Sequence, residues 1–187
     1  MSIRIEILND HVLNVLRELE KRNVLRISDD EQTRDMIGRS ANVMDRPAIQ
    51  NTFIRILHRH LQEIELSGEL IITDPFLLNS NAVWYEFFLK RLFEPLYERV
   101  PVITFIIEGR YSPTLWDNLK NHAQGKGCTL RFFINNEYHD RFWLCATHKK
   151  GIFVGNSLTG IGAKYCFVGR LPDEDALAAY NSLEYLL

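Results

Sequence analysis

A chain of 187 residues, 46% hydrophobic and 25% charged, with a formal net charge of -2, has the makeup of one soluble globular domain with at most a small appendage. On folding it can bury roughly 70% of its extended surface, so it needs no disulfide or structural metal to hold together. The charge balance excludes a protein that coats nucleic acid nonspecifically, because such binding comes from many lysine and arginine contacts with phosphates, but it allows a local basic cleft.

In SIRIEIL the alternation of Ile3, Ile5 and Ile7 with polar residues predicts a half-buried strand. Asn9 or Asp10 then caps a helix with Val12, Val15, Leu16 and Leu19 on one stripe, and Val24 opens a second short strand. The polar stretch from Ser28 to Asp45 is expected to be a linker with one short helix. Residues 1–45 therefore form a strand-helix-strand arm and linker, and residues 46–187 the main domain. Such an arm either packs on its own domain or offers a pairing surface to a protein partner.

Pro47 suits the first turn of a helix whose apolar face is Ile49, Phe53, Ile54, Ile56, Leu57, Leu61 and Ile64. After Ser67-Gly68 strands and helices alternate: ELIITDPF, a helix from Ala82 to about Tyr97, VPVITFIIEG, the helix SPTLWDNLKNHAQ, and TLRFFINN. Runs such as LII and VITFII are apolar on both faces, as central strands covered by helices must be. RFWLC, GIFVGN and YCFVG are too closely spaced for helical crossovers, so they add antiparallel strands before a C-terminal helix from Asp173 to Leu186. The expectation is an α/β fold with a mixed sheet flanked by helices.

Cys128, Cys145 and Cys166 are odd in number, widely spaced and set in apolar contexts. They predict buried thiols in a reducing compartment, the cytoplasm, rather than a disulfide or zinc framework. MSIRIEILND lacks a long apolar core and no run approaches 18 apolar residues, so neither an export signal nor a membrane span is expected.

The chemistry concentrates in HDRFWLCATHKKGIFVGNSLTGIGAKYCF, from His139 to Phe167. At alternate positions of a strand His139 and Arg141 would share a face, with Asp140 turned away. A guanidinium offers phosphate a bidentate fork, and an imidazole can attack phosphorus or donate a proton. Gly155 to Lys164 adds a tight turn with Asn156, Ser157, Thr159 and Lys164, of the kind whose amide hydrogens bind anions, though it is no Walker A loop. Asp74 and, by analogy, Glu108 and Arg110 follow apolar strands where open sheets place ligand-facing residues; Asp74 could equally cap the following turn. His58 and His60 are two apart on a helix and cannot chelate together. His148 reads as solvated, and Trp84, Tyr85, Phe87, Phe88 and Phe93 as core rather than a base-stacking platform.

Strand, DPF, helix, strand, helix, strand, HDRF and G-x-S-L together resemble a single half-unit of the phospholipase D superfamily, over about Glu69 to Leu187. The branch with His-Asp-Arg in place of the usual His-x-Lys is the most similar; it includes the C-terminal domain of MIT-domain proteins and bacterial relatives. Arg141 then stands for the family's lysine and Ala146 for its aspartate. The resemblance implies His139 as nucleophile, Arg141 as its phosphate-binding partner, phosphate contacts from Asn156, Ser157 and Lys164 in the Gly155–Leu158 turn and its surroundings, and Asp74-Pro75 as the family's aspartate-proline pair, with no metal and no cofactor. By position, Asp74, Asp140 and Glu108 are candidates for supporting roles around them. It implies a metal-independent phosphodiesterase or nuclease with a phosphohistidine intermediate, in which a homodimer supplies the second histidine. The other reading is a catalytically degenerate module that binds phosphorylated lipid, nucleotide or nucleic acid, or serves protein interaction.

Overall fold

In the computed structural model residues 34–186 are described, so the strand-helix-strand arm expected before them lies outside the described residues. The described residues form seven strands, β1 (Arg34–Ile37), β2 (Glu69–Thr73), β3 (Val102–Ile107), β4 (Thr129–Ile134), β5 (Phe142–Cys145), β6 (Lys150–Val154) and β7 (Cys166–Arg170). They also form four helices, α1 (Arg46–Glu63), α2 (Val83–Tyr97), α3 (Pro113–Gln124) and α4 (Asp173–Leu183). One mixed sheet joins all the strands in the order β1-β7-β6-β5-β2-β3-β4. β2, β3 and β4 are parallel, and every other pairing is antiparallel.

Helices cover both faces. Leu70, Ile72, Phe105, Trp143, Ile152 and Val168 turn one way and pack under α1, α2 and α3 in the larger core. Ile71, Ile106 and Leu144 turn the other way, onto Leu171, Ala176 and Leu183 at and near α4. Alternate residues of a strand point to opposite faces, which is why β2 and β3 are buried almost throughout.

The linker expectation is corrected at Arg34 to Ile37. This segment is an edge strand, antiparallel to β7 with Met36 opposite Phe167. Only one of the four side chains, Ile37, is fully buried, so the strand shows no alternation in sequence. The short helix expected in the linker is a 3-10 turn at Val43–Asp45, capped by Asn42, whose side chain accepts from Met44 N–H at 3.0 Å. Pro47 sits in the first turn of α1, and Ser112 caps α3 by accepting from Leu115 N–H at 3.3 Å, each as those residue types favour.

Candidate functional site

Because β5 runs antiparallel to β2, the carboxyl end of one lies beside the amino end of the other. Ile72 pairs with Trp143, and two further steps along each chain bring Asp74 opposite Arg141. Thr73 ties this junction. Its hydroxyl donates to the Asp140 carbonyl at 2.8 Å and accepts from Phe142 N–H at 2.7 Å.

Asp74 is the centre of the arrangement, only 2% exposed. Its Oδ1 accepts from Phe76 N–H at 3.0 Å, which turns the chain at Pro75. Its Oδ2 accepts from the Ser157 hydroxyl and from Leu158 N–H, both at 3.0 Å. Asp74 therefore does cap its own turn, and it also fastens the distant 155–165 bend to the end of β2. Burial pushes its carboxyl above the ordinary range, offset in part by the Leu158 and Phe76 amides, the Ser157 hydroxyl and Arg141.

Arg141 Nε stands 3.8 Å from Asp74 Oδ1, beyond hydrogen-bond reach, on a side chain 22% exposed. That nitrogen is buried and has no acceptor, and the same holds for Asn156 Nδ2. Cys166 lies near Arg141 and the Asn156 main chain: its thiol is pushed up to about 11 by desolvation, while the backbone amides of Asn156 and Gly155 and then Arg141 act the other way. Among the described residues these two donors lack acceptors, while the Asp74 carboxylate beside Arg141 already accepts three hydrogen bonds.

The other sequence candidates divide. His139 is exposed and makes no hydrogen bond or ion pair among the described residues. It precedes β5 instead of lying within it, so the alternate-position argument for His139 and Arg141 rests on chain spacing and not on a formed strand. Lys164 is exposed in the bend, held through its main chain to Gly160 O at 3.0 Å. Ser157 departs from a direct phosphate contact, since its hydroxyl hydrogen is committed to Asp74 while its oxygen accepts from Thr159 at 3.1 Å. Asp140 is exposed and contributes its carbonyl, and Glu108 is half-buried beyond β3, its N–H donating to Pro75 O at 3.2 Å.

His58 and His60 do not share a ligand: His58 Nε2 donates to Leu92 O at 2.9 Å, while His60 faces Asp35 and Glu63. His148 is exposed, 3.1 Å from the Ser67 hydroxyl. The aromatic group of α2 splits. Tyr85, Phe88 and Phe93 are buried as expected, but Trp84 and Phe87 project outward. Arg46 was invisible in the sequence. It packs on the bend where a Cβ at Gly162 would meet its Cγ at 2.8 Å, and Gly162 also has φ +89°, so glycine is required there on both counts.

No protein-family model matches the chain, and no curated protein matches it. Among solved structures it is similar to TrmBL2, an archaeal chromatin protein whose structure shows a novel mode of DNA binding. The TM-score is 0.39 at 15% sequence identity, over 94% of this chain and 60% of that one. The chain thus spans well short of the whole of TrmBL2, and a likeness of this strength carries no functional argument. Among the described residues no helix is long and apolar enough to cross a membrane.

Proposed function

We propose that the chain is a phosphate-recognising protein of the phospholipase D-like kind, with the anion held by Arg141 and Asn156 at the end of the sheet where β2 meets β5. The observation that carries this reading is that two buried donors, Arg141 Nε and Asn156 Nδ2, have no acceptor among the described residues. Leaving such a donor unsatisfied is destabilising by about 1–3 kcal/mol, and a ligand oxygen relieves it. Phosphate supplies several oxygens around one centre, which suits a planar guanidinium beside a carboxamide. Asp74 orients Arg141, while its own charge is spread over three hydrogen bonds. Lys164 and His139, both exposed, add positive charge or a proton nearby.

Turnover is the second reading, favoured by the exposed His139 imidazole, which has no hydrogen bond or ion pair among the described residues and stands two residues before Arg141. In that chemistry His139 attacks phosphorus to form a phosphohistidine as the bond to the leaving oxygen breaks. A second histidine gives that oxygen its proton, and water then cleaves the phosphohistidine. The second histidine comes from a second copy of the chain. The three cysteines are free and buried, which suits work in a reducing compartment such as the cytoplasm.

Calorimetric titration with inorganic phosphate tests the site. Binding that falls at least tenfold in Arg141→Ala and in Asn156→Leu supports it, and equal binding by wild type and variants overturns it. Incubation with labelled single- and double-stranded DNA and with a bis-aryl phosphodiester in EDTA decides turnover. Cleavage that disappears in His139→Ala establishes the enzyme, and intact substrate with phosphate binding retained leaves a binding module.

A further inference from the structure

The helical spacing of VWYEFFLK turns Tyr85, Phe88 and Leu89 into the core and leaves Trp84 39% and Phe87 62% exposed. The Arg46 guanidinium lies over the Trp84 ring, 4.7 Å from its centroid. Arg39 lies over Tyr165 at 5.4 Å, and Tyr165 is 55% exposed. Arg91 lies over Phe87 at 5.6 Å, with its other nitrogen bonded to Asn51. None of the three arginines has an ion-pair partner among the described residues. The one neighbouring carboxylate in sequence, Asp45, accepts from the Ser40 hydroxyl at 2.7 Å.

Two of these pairs, Arg46–Trp84 and Arg39–Tyr165, meet the bend that carries Asn156. Gly162 receives the Arg46 side chain against its open Cα face, and its carbonyl accepts from Ser40 N–H at 3.2 Å, next to Arg39. Tyr165 belongs to the same bend, whose Ser157 and Leu158 hold Asp74. Arginine-ring pairs therefore border the bend that carries Asn156, on the side where α1 and α2 begin.

We propose that the ligand of this site is single-stranded nucleic acid, one backbone phosphate resting on Arg141 and Asn156 while neighbouring bases stack on the rim of Tyr165 with Arg39 and Trp84 with Arg46. The proposal rests on the phosphate reading of Arg141 and Asn156. A nucleotide chain presents a charged phosphate and a flat ring in alternation, which matches unpaired guanidiniums interleaved with exposed rings. A free phosphate has no ring to use, and a duplex keeps the faces of its bases stacked inside. The rim accounts for Arg39 and Arg46 lying on aromatic faces with no ion-pair partner among the described residues, an arrangement that a phosphate pocket alone does not need.

The test measures anisotropy of a short labelled oligothymidylate, with a duplex of mixed sequence and vesicles of phosphatidylserine and phosphatidylcholine as separate arms. Wild type binds the single strand in preference to the duplex, and Trp84 fluorescence is quenched on binding. Trp84→Leu and Tyr165→Leu each weaken binding about tenfold, Arg46→Lys loses part of that, and all three keep the wild-type affinity for inorganic phosphate and the wild-type melting midpoint. Unchanged oligonucleotide binding in the rim variants overturns the proposal. So does binding to the vesicles alone, in which case exposed Met44 and Val83 beside the rim serve a lipid surface. The two readings fail separately: if Arg141→Ala changes neither phosphate nor oligonucleotide binding while the rim variants do, the phosphate site falls and the rim stands.

Discussion

Asp74 is a buried carboxylate that joins two stretches more than eighty positions apart, from Asp74 to Ser157 and Leu158. Replacing it with alanine leaves the Phe76 and Leu158 amides and the Ser157 hydroxyl without their acceptor. The expected loss is about 3 kcal/mol, read as a lower urea midpoint, and a change within error would mean that the bend is held by other contacts. Its titration gives a second, sharper expectation. Since burial raises the Asp74 carboxyl above its ordinary value in the folded state, the folded protein takes up that proton more readily than the unfolded chain. The resulting contribution to stability is present below the unfolded value and is lost as pH rises through the folded one. Wild type should therefore gain stability relative to Asp74→Asn as pH falls from about 7 to about 4. A relative loss on acidification would contradict the assignment.

The edge strand β1 is fastened to α1 by a polar brace. His60 is fully buried, with Nε2 2.8 Å from Asp35 Oδ2 on β1 and Nδ1 3.0 Å from Glu63 Oε2 on α1. Arg59 reaches both carboxylates, Asp35 through a hydrogen bond and Glu63 at 3.5 Å. Ion pairs as exposed as Arg59–Glu63 contribute little on their own; the buried imidazole carries the brace. His60→Ala removes it and leaves a cavity, for an expected loss of about 2 kcal/mol. Hydrogen exchange should then speed up at the β1 amides from Asp35 to Ile37 while the β3 amides stay protected. Uniform acceleration would show that the brace supports the whole fold and not this strand. His60 illustrates why helical spacing missed the element: the partner in β1 is a polar residue in a segment without apolar alternation, so nothing in Arg34 to Ile37 announces a strand.

Across the whole molecule the sheet changes from parallel to antiparallel at β2, with β3 on one side and β5 on the other. This change brings the amino end of β5, with His139 and Arg141, to the carboxyl end of β2, with Asp74. One such site per chain means that two-histidine chemistry requires two chains, so an active protein should have twice the mass of the chain by light scattering at the concentration of the cleavage assay. Cleavage by a strict monomer would remove the two-histidine mechanism. The sequence by itself determined the helices, the central strands and the α/β class, because periodicity records which face of a segment is apolar. It also singled out Asp74, Arg141 and Asn156 as candidates. Only the tertiary structure decided that Ser157 braces Asp74, that β1 joins the sheet, and that Arg46 and Trp84 meet beside the bend. Those outcomes depend on which polar atoms from distant segments saturate one another, and hydrophobic pattern carries no record of that pairing.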